Sequence, residues 1–441
     1  MSGKECFEIL DKIFLPKKME NIENIKGYTM KYGHIVENLK EYDGFEVPES
    51  AIVDEVLVSY FKEPMSYTTE NMCEINTHGG NIVVKKILEL CLKNGAEMAE
   101  PGEFTKRAFL NGRIDLLQAE SVIDIIDAKS ERELKAGMNQ LEGRVSKEIH
   151  DIKQKIMDVM VNVEVDIDYP EYDVEEVTNT EINEMLDVVI ADLSRLEKSF
   201  DNGKILKDGV KTAIIGKPNA GKSSLLNCIL NEERAIVTEI EGTTRDTIEE
   251  FVTVEGVPLK LIDTAGIREA KDEVEKIGIT KSKEIAKDAD LIIAIFDSSK
   301  DLTDEDKEIL DIIKNKTAIV VLNKMDLLNK IDENMAEIKN VSKYIVKMST
   351  LEQKGIDDLY KSIGNLFSME EISLDNTIVI TNVRHKNLIS KALNSCREAK
   401  KSMELGMPLD IIAIFLKEIL ENLGEITGET VTDDIIDEIF S

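Results

Sequence analysis

At roughly 150 residues per domain, 441 residues allow about three domains, and 42% apolar residues are enough to give each a core, which excludes a disordered or fibrous chain. Fifty-five Lys and Arg against 87 Asp and Glu leave a net charge of -32, so the surface as a whole cannot act as a basic glove for a polyanion, and any contact with RNA must be local or shared. The longest apolar runs fall far short of the roughly 20 residues that span a bilayer, the N-terminus lacks the apolar core of a secretory signal, and five scattered cysteines without CxxC fit reduced cytosolic thiols. The expectation is a soluble, cytoplasmic protein with no membrane partner.

Residues 1–112 mix short apolar strands with Gly and Pro, for example AIVDEVLVSYF at 51–61 and NIVVKKILELCLKNG at 81–95, which reads as a small α/β domain. From Arg113 to about residue 205 the period is helical: Leu116, Ala119, Ile123 and Ile126, then Ile149, Ile152, Ile156, Val159 and Val163, then Ile182, Leu186, Val189, Leu193, Leu196 and Phe200. Pro170 separates the last two stripes, which predicts an antiparallel pair of long helices. Over 206–369 strands alternate with helices. The expected strands are 210–216, 247–256, 258–266, 291–297, 317–323 and 343–349, with a hairpin at Gly256 that makes one edge antiparallel. Their continuous apolar character predicts a mostly parallel sheet covered by helices. Helical character returns over 370–441, with Pro408 near the start of a helix. The predicted fold is a multidomain α/β plus all-α chain, a helical domain built from both flanks with an α/β domain inserted in it.

The inserted domain carries the chemistry. GKPNAGKS, Gly216 to Ser223, follows an apolar strand and precedes a helix, the context of a phosphate-binding loop. Its backbone N–H groups turn toward phosphates, Lys222 reaches the β and γ phosphates, and the Ser223 hydroxyl suits Mg²⁺. Asp263-Thr264-Ala265-Gly266 closes a later strand, where a carboxylate can hold Mg²⁺ through water and a glycine N–H can sense the γ phosphate. Asn323-Lys324-Met325-Asp326 ends another strand, where an aspartate can accept N1–H and N2–H of guanine, which adenine cannot offer. Ser349, Thr350 and Leu351 follow the last strand, where the base would be backed. Between the first two motifs, TEIEGTTRD offers Thr244 to complete the Mg²⁺ shell in a switch loop. Ile267 follows DTAG and cannot polarise water, so hydrolysis must borrow another group, with Glu275 a candidate that spacing alone leaves as a solvated helix charge.

GKPNAGKSSLLN, IVTEIEGTTRDTIEE, LIDTAGIREAKDEVEKIGI and NKMD together, with EINTHGG, EPGEFTKRAFLNGRIDLLQAESV and GEITGETVTDDIIDEIFS on the flanks, resemble the MnmE (TrmE) family of tRNA-modification GTPases. The resemblance implies three parts: an N-terminal folate-binding and dimerisation domain (1–112) similar to glycine-cleavage aminomethyltransferase, a helical domain (113–205 and 370–441) and a P-loop GTPase domain (206–369). It implies a homodimer that works in a heterotetramer with an FAD-dependent partner and places an aminomethyl-type group on C5 of the wobble uridine of tRNA. GTP contacts carried over are Asn219, Ala220, Gly221, Lys222, Ser223 and Ser224, the loop Thr238, Glu239, Ile240, Glu241, Gly242, Thr243 and Thr244, the motifs already named, and Ser349 to Leu351.

The same resemblance implies Mg²⁺ on Ser223 and Thr244, and K⁺ on Asn219, Thr238, Ile240 and Thr243 in place of an arginine finger. Glu275 would orient the attacking water, with Lys222 as the second catalytic group. Glu74 and Arg113 would contact 5-formyl-tetrahydrofolate or a related folate. The family pattern begins upstream of MSGKECFEIL with a strand and a glycine-rich turn, and ends in a Cys-x-Gly-Lys tail where this sequence has Phe440-Ser441. The expectation is therefore an intact GTPase core, with folate binding, dimerisation and tRNA modification left open. The alternative is a regulatory GTPase module that reports nucleotide state to a ribosome-assembly or other RNA partner.

Overall fold

The computed structural model describes residues 1–18, 27–42, 47–168, 175–231, 250–262, 278–331, 336–367, 378–430 and 439–440. They form two compact units, one of Met1–Val122 with Gly424–Ser441 and one of Ile123–Leu423.

In the first unit, β1 (Phe14–Pro16), β2 (Thr29–Val36), β3 (Ile52–Phe61) and β4 (Met72–Asn76) form an antiparallel sheet in that order. Alternation puts Val56, Val58 and Tyr60 on the buried face of β3, where they meet α1 (Cys6–Asp11) and α2 (Asn81–Lys93) through Leu10, Ile87, Leu90 and Cys91. The apolar segment at 81–95 is thus a helix and not one of the domain's strands: Ile87, Leu90 and Cys91 recur at helical spacing and are buried, whereas Ile82 and Val84 are exposed. The chain's last described residues return to this unit. Phe440 stacks on Phe109 of α3 (Glu103–Leu110) with ring centroids 6.2 Å apart, and its carbonyl lies 2.6 Å from where a Cβ on Gly102 would be, which demands glycine there.

In α4 (Leu116–Ile126), Leu116 and Ala119 are buried as expected but Ile123 and Ile126 are exposed. The covered side at that end is carried by Ile125, whose Cγ1 sits 2.9 Å from the position of a Cβ on Gly137 in α5 (Glu131–Leu141). A periodic stripe fixes a face, and the neighbour decides which part of it is covered.

In the second unit, α6 (Arg144–Asp168) and α7 (Glu175–Asp208) are the two long helices, which bury Ile149, Ile152, Ile156 and Val163 against Ile182, Leu186, Val189 and Leu193. Pro170 lies outside the described residues. The helix Val383–Glu404 packs on α7 and so joins the later flank to the earlier one. The six-stranded sheet has the order β10-β9-β8-β5-β7-β6, from β5 (Val210–Gly216), β6 (Glu250–Val254), β7 (Val257–Leu261), β8 (Leu291–Asp297), β9 (Ala318–Asn323) and β10 (Tyr344–Lys347). All neighbours are parallel except β6 with β7, the hairpin turned by Gly256 at φ +75°. β8 and β9 are buried throughout because both faces are covered, one by Leu225, Ile229, Leu359 and Ile363 and the other by Ala286, Ile309 and Ile313. Among the described residues no helix is long and apolar enough to cross a membrane.

Candidate functional site

The strand ends β5, β8 and β9 open on one edge of the parallel sheet, where a doubly wound fold places its ligand. From β5 the chain turns through Gly216–Ser223 into α8 (Lys222–Asn231). Two glycines are required by contact: a Cβ on Gly216 would lie 2.5 Å from the Ile295 carbonyl of β8, and one on Gly221, at φ +111°, 2.2 Å from Asn323 Nδ2. Asn219 takes the left-handed conformation at φ 61° and is exposed. Lys222 Nζ donates to the carbonyls of Gly216 (2.8 Å) and Lys217 (2.9 Å). Burial pushes its pKa down, a shift that a bound anion would oppose. Ser223 and Ser224, in the first turn of α8, are exposed, and Ala220 is buried.

Asn323 is fully buried at the end of β9. Its Nδ2 donates to the Ala220 carbonyl at 2.9 Å and to Thr350 Oγ1 at 3.2 Å, while its Oδ1 accepts from the Thr350 amide at 3.0 Å. One side chain therefore pins the glycine-rich loop to the segment after β10. Lys324, left-handed at φ 65°, donates to Asp297 Oδ2 at 2.7 Å. Burial raises the Asp297 pKa, but hydrogen bonds from Lys324 and Ser299 outweigh it and hold the carboxyl below its usual range. Asp326 is exposed and receives a 2.5 Å hydrogen bond on Oδ1 from the buried Ser349 hydroxyl. Leu351 is exposed beside them. The structure thus gathers Asn219 to Ser224, Asn323, Lys324, Asp326 and Ser349 to Leu351 at one edge.

Sequence reasoning missed two supports of this loop. Lys217 Nζ lies 2.5 Å from Asp306 Oδ2 and 2.8 Å from Thr303 Oγ1 at the start of the helix Asp304–Ile313. Asp297, which holds Lys324, is the other; its position at the end of an apolar strand was the available signal. Thr238 to Thr244, Asp263 to Gly266, Ile267 and Glu275 lie outside the described residues.

In the first unit, Glu74 is exposed on β4 and lines a cavity of about 590 Å³ with Tyr67, Cys73, Cys91 and Phe104. Arg113 does not line it. Its Nη1 donates to the Tyr67 carbonyl at 2.8 Å, and its guanidinium sits 4.8 Å from the Tyr67 ring centre. Tyr67, which no sequence pattern singled out, lines the cavity with Glu74 and also meets Arg113.

The family model described as the MnmE helical domain matches residues 116–441, and that of the GTP-binding protein TrmE N-terminus matches residues 1–113. The chain is similar to the tRNA modification GTPase MnmE of Thermoanaerobacter pseudethanolicus, with 50% identity over 443 residues, covering 100% of this chain and 94% of the relative. It is 48% identical over 442 residues to the protein of the same name from Clostridioides difficile, again covering 100% and 94%. Among solved structures, the G domain of the T. maritima FeoB iron transporter is similar at 26% identity over 36% of this chain and 98% of that one, with a TM-score of 0.27.

Proposed function

The chain belongs to the MnmE family of tRNA modification GTPases and is a GTPase, and on that premise we propose which residues carry the reaction and what the chain works with. The observation that carries the site reading is Asn323, which ties the glycine-rich loop to the Ser349–Leu351 segment while Ser349 orients Asp326. A guanine base fits there, because the Asp326 carboxylate, steadied by Ser349, can accept from N1–H and N2–H. A triphosphate fits beside it, where the half-buried Lys222 ammonium meets neutral carbonyls among the described residues and the loop has no room for side chains at Gly216 and Gly221.

In this reading Mg²⁺, held by Ser223 and Thr244, and K⁺, held by Asn219 with Thr238, Ile240 and Thr243, supply positive charge against the phosphates. Ser223, exposed in the first turn of α8, and Asn219, exposed in its left-handed turn, have the oxygen donors and the access this needs. Lys222 would stabilise the charge that develops on the phosphates, Glu275 would position the attacking water, and Thr238 to Thr244 with Asp263 to Gly266 would supply the remaining contacts to the nucleotide. We further propose the division into 1–112, 113–205 with 370–441, and 206–369. The chain would act as a cytoplasmic homodimer with an FAD-dependent partner at C5 of the wobble uridine. Its first domain would hold a folate in the cavity of Glu74 and Tyr67, with Arg113 buttressing Tyr67.

The test is steady-state GTP hydrolysis in K⁺ and in Na⁺. The rate should be well above background only in K⁺, and Glu275→Ala should lower turnover by roughly 100-fold or more while GTP affinity stays within a few-fold. Equal rates in the two salts, or an unimpaired Glu275→Ala variant, would refute this assignment.

A further inference from the structure

Five cysteines are scattered through the sequence, yet the fold brings two of them together. Cys6 on α1 and Cys73 on β4 lie 67 positions apart, and their Sγ atoms share a hydrogen bond of 3.4 Å. The approach is built by the backbone: Ser2 bridges Met72, Gly3 N–H donates to the Asn71 carbonyl at 2.9 Å, and Cys73 N–H donates to the Met1 carbonyl at 3.0 Å. Both residues are buried, at 3% and 1% exposure, so the sulfurs have few other places to go. A disulfide needs the sulfurs at about 2.05 Å, and closing the remaining gap lies within the reach of side-chain rotation and a small backbone adjustment.

We propose that Cys6 and Cys73 are an oxidisable thiol pair that closes to a disulfide under a peroxide. The Cys6 thiolate attacks a peroxide oxygen, the O–O bond breaks, and the products are a sulfenic acid on Cys6 and water after protonation. Cys73 then loses its proton and attacks the Cys6 sulfur. The S–S bond forms as the S–O bond breaks, and hydroxide leaves and takes up that proton as a second water. Two thiols and one hydrogen peroxide become one disulfide and two waters, with sulfur oxidised and peroxide oxygen reduced.

The division of labour follows from the shared hydrogen bond. The neighbouring Cys73 sulfur, 3.4 Å away, holds the Cys6 thiol below the usual range against the opposing effect of burial, while the same contact and burial push Cys73 up. Cys91 and Cys396 are pushed up by burial, the latter to about 12. Small oxidants reach the pair from the side of Cys73, which lines the 590 Å³ cavity and whose sulfur lies 3.4 Å from that of Cys6. The cross-link would tie α1 to the strand that carries Glu74, the next residue, and so fix one wall of that cavity. Neither the nucleotide assignment nor the folate assignment is needed for this chemistry.

The experiment treats the reduced full chain with hydrogen peroxide at mildly alkaline pH, then alkylates under denaturing conditions and maps the peptides. Two of the five thiols should disappear first, in a Cys6–Cys73 cross-linked peptide lighter by two hydrogens and restored by dithiothreitol. Cys6→Ser should leave Cys73 alkylated to the extent seen in the untreated protein. Oxidation of the half-buried Cys228 while Cys6 and Cys73 remain alkylated would overturn the proposal, and so would a cross-link through Cys91 instead. The peptide map of the parent decides the matter even where the variant does not fold.

Discussion

Breaking the Lys217–Asp306 pair tests whether the nucleotide loop is held from behind. The two side chains are 18% and 4% exposed, so the pair is a buried one, and removing one partner of such a pair costs about 3–5 kcal/mol. Asp306→Ala should pay near that full amount. It leaves the Lys217 ammonium with Thr303 Oγ1 as its partner among the described residues, and it also removes the carboxylate that caps Thr303 N–H at 2.9 Å. Lys217→Met should cost less, about 1.5–3 kcal/mol for a charged hydrogen bond, because Asp306 keeps its bonds from Thr303 and the favourable field of a helix N-terminus. The double variant Lys217→Met/Asp306→Leu should recover part of the loss, giving a coupling energy of about 1–3 kcal/mol. With no tryptophan and two compact units, a single optical transition would blur the result, so native-state hydrogen exchange across 211–231 and 304–313 is the suitable measurement. The Lys217 carbonyl is one of two acceptors for Lys222 Nζ, so GTP affinity should fall with protection. Additive single variants, with coupling below about 0.5 kcal/mol, would refute the strut.

Asp326→Asn should weaken GTP by the loss of a charged hydrogen bond, about 1.5–3 kcal/mol, and admit xanthosine triphosphate in competition binding; equal affinity of the parent for ATP and GTP would contradict the base assignment. Asp297 has a folded pKa held below its unfolded value of about 3.9, so its contribution to stability is complete above that pH and is lost as pH falls through the folded value. The Tm difference between the parent and Asp297→Asn should therefore be greatest near neutrality and shrink in acid, and a difference independent of pH would speak against the Lys324 pairing.

What the sequence disclosed and what it hid divide along the range of the interactions. β5 and β8 are found at the residues expected, 210–216 and 291–297, because a strand covered on both faces needs continuous apolar residues, and this requirement is local. The glycine-rich loop is legible for a similar reason: Gly216 and Gly221 are dictated by backbone that passes within a few ångströms, and the spacing records it. The segment at 81–95 misled because apolar content alone does not separate a short strand from a helix with one covered face, and only the spacing of Ile87, Leu90 and Cys91 does so. Ile123 and Ile126 continued a helical stripe beyond the point where a neighbour covers it.

The remaining features depend on pairs that no local pattern joins. Lys217 meets Asp306 across 89 positions, Asn323 meets Ala220 across 103, and Cys6 meets Cys73 across 67, so each partner alone reads as an ordinary surface charge, a strand end or a core thiol. For the first two pairs the closeness follows from sheet order: β8 lies between β5 and β9, which brings the loop after β5 alongside both the end of β9 and the helix that follows β8. A motif therefore specifies which groups face the ligand, whereas the topology specifies which groups hold them. It is the second set, Lys217, Thr303, Asp306 and Asp297, whose replacement should separate support of the loop from direct contact with nucleotide.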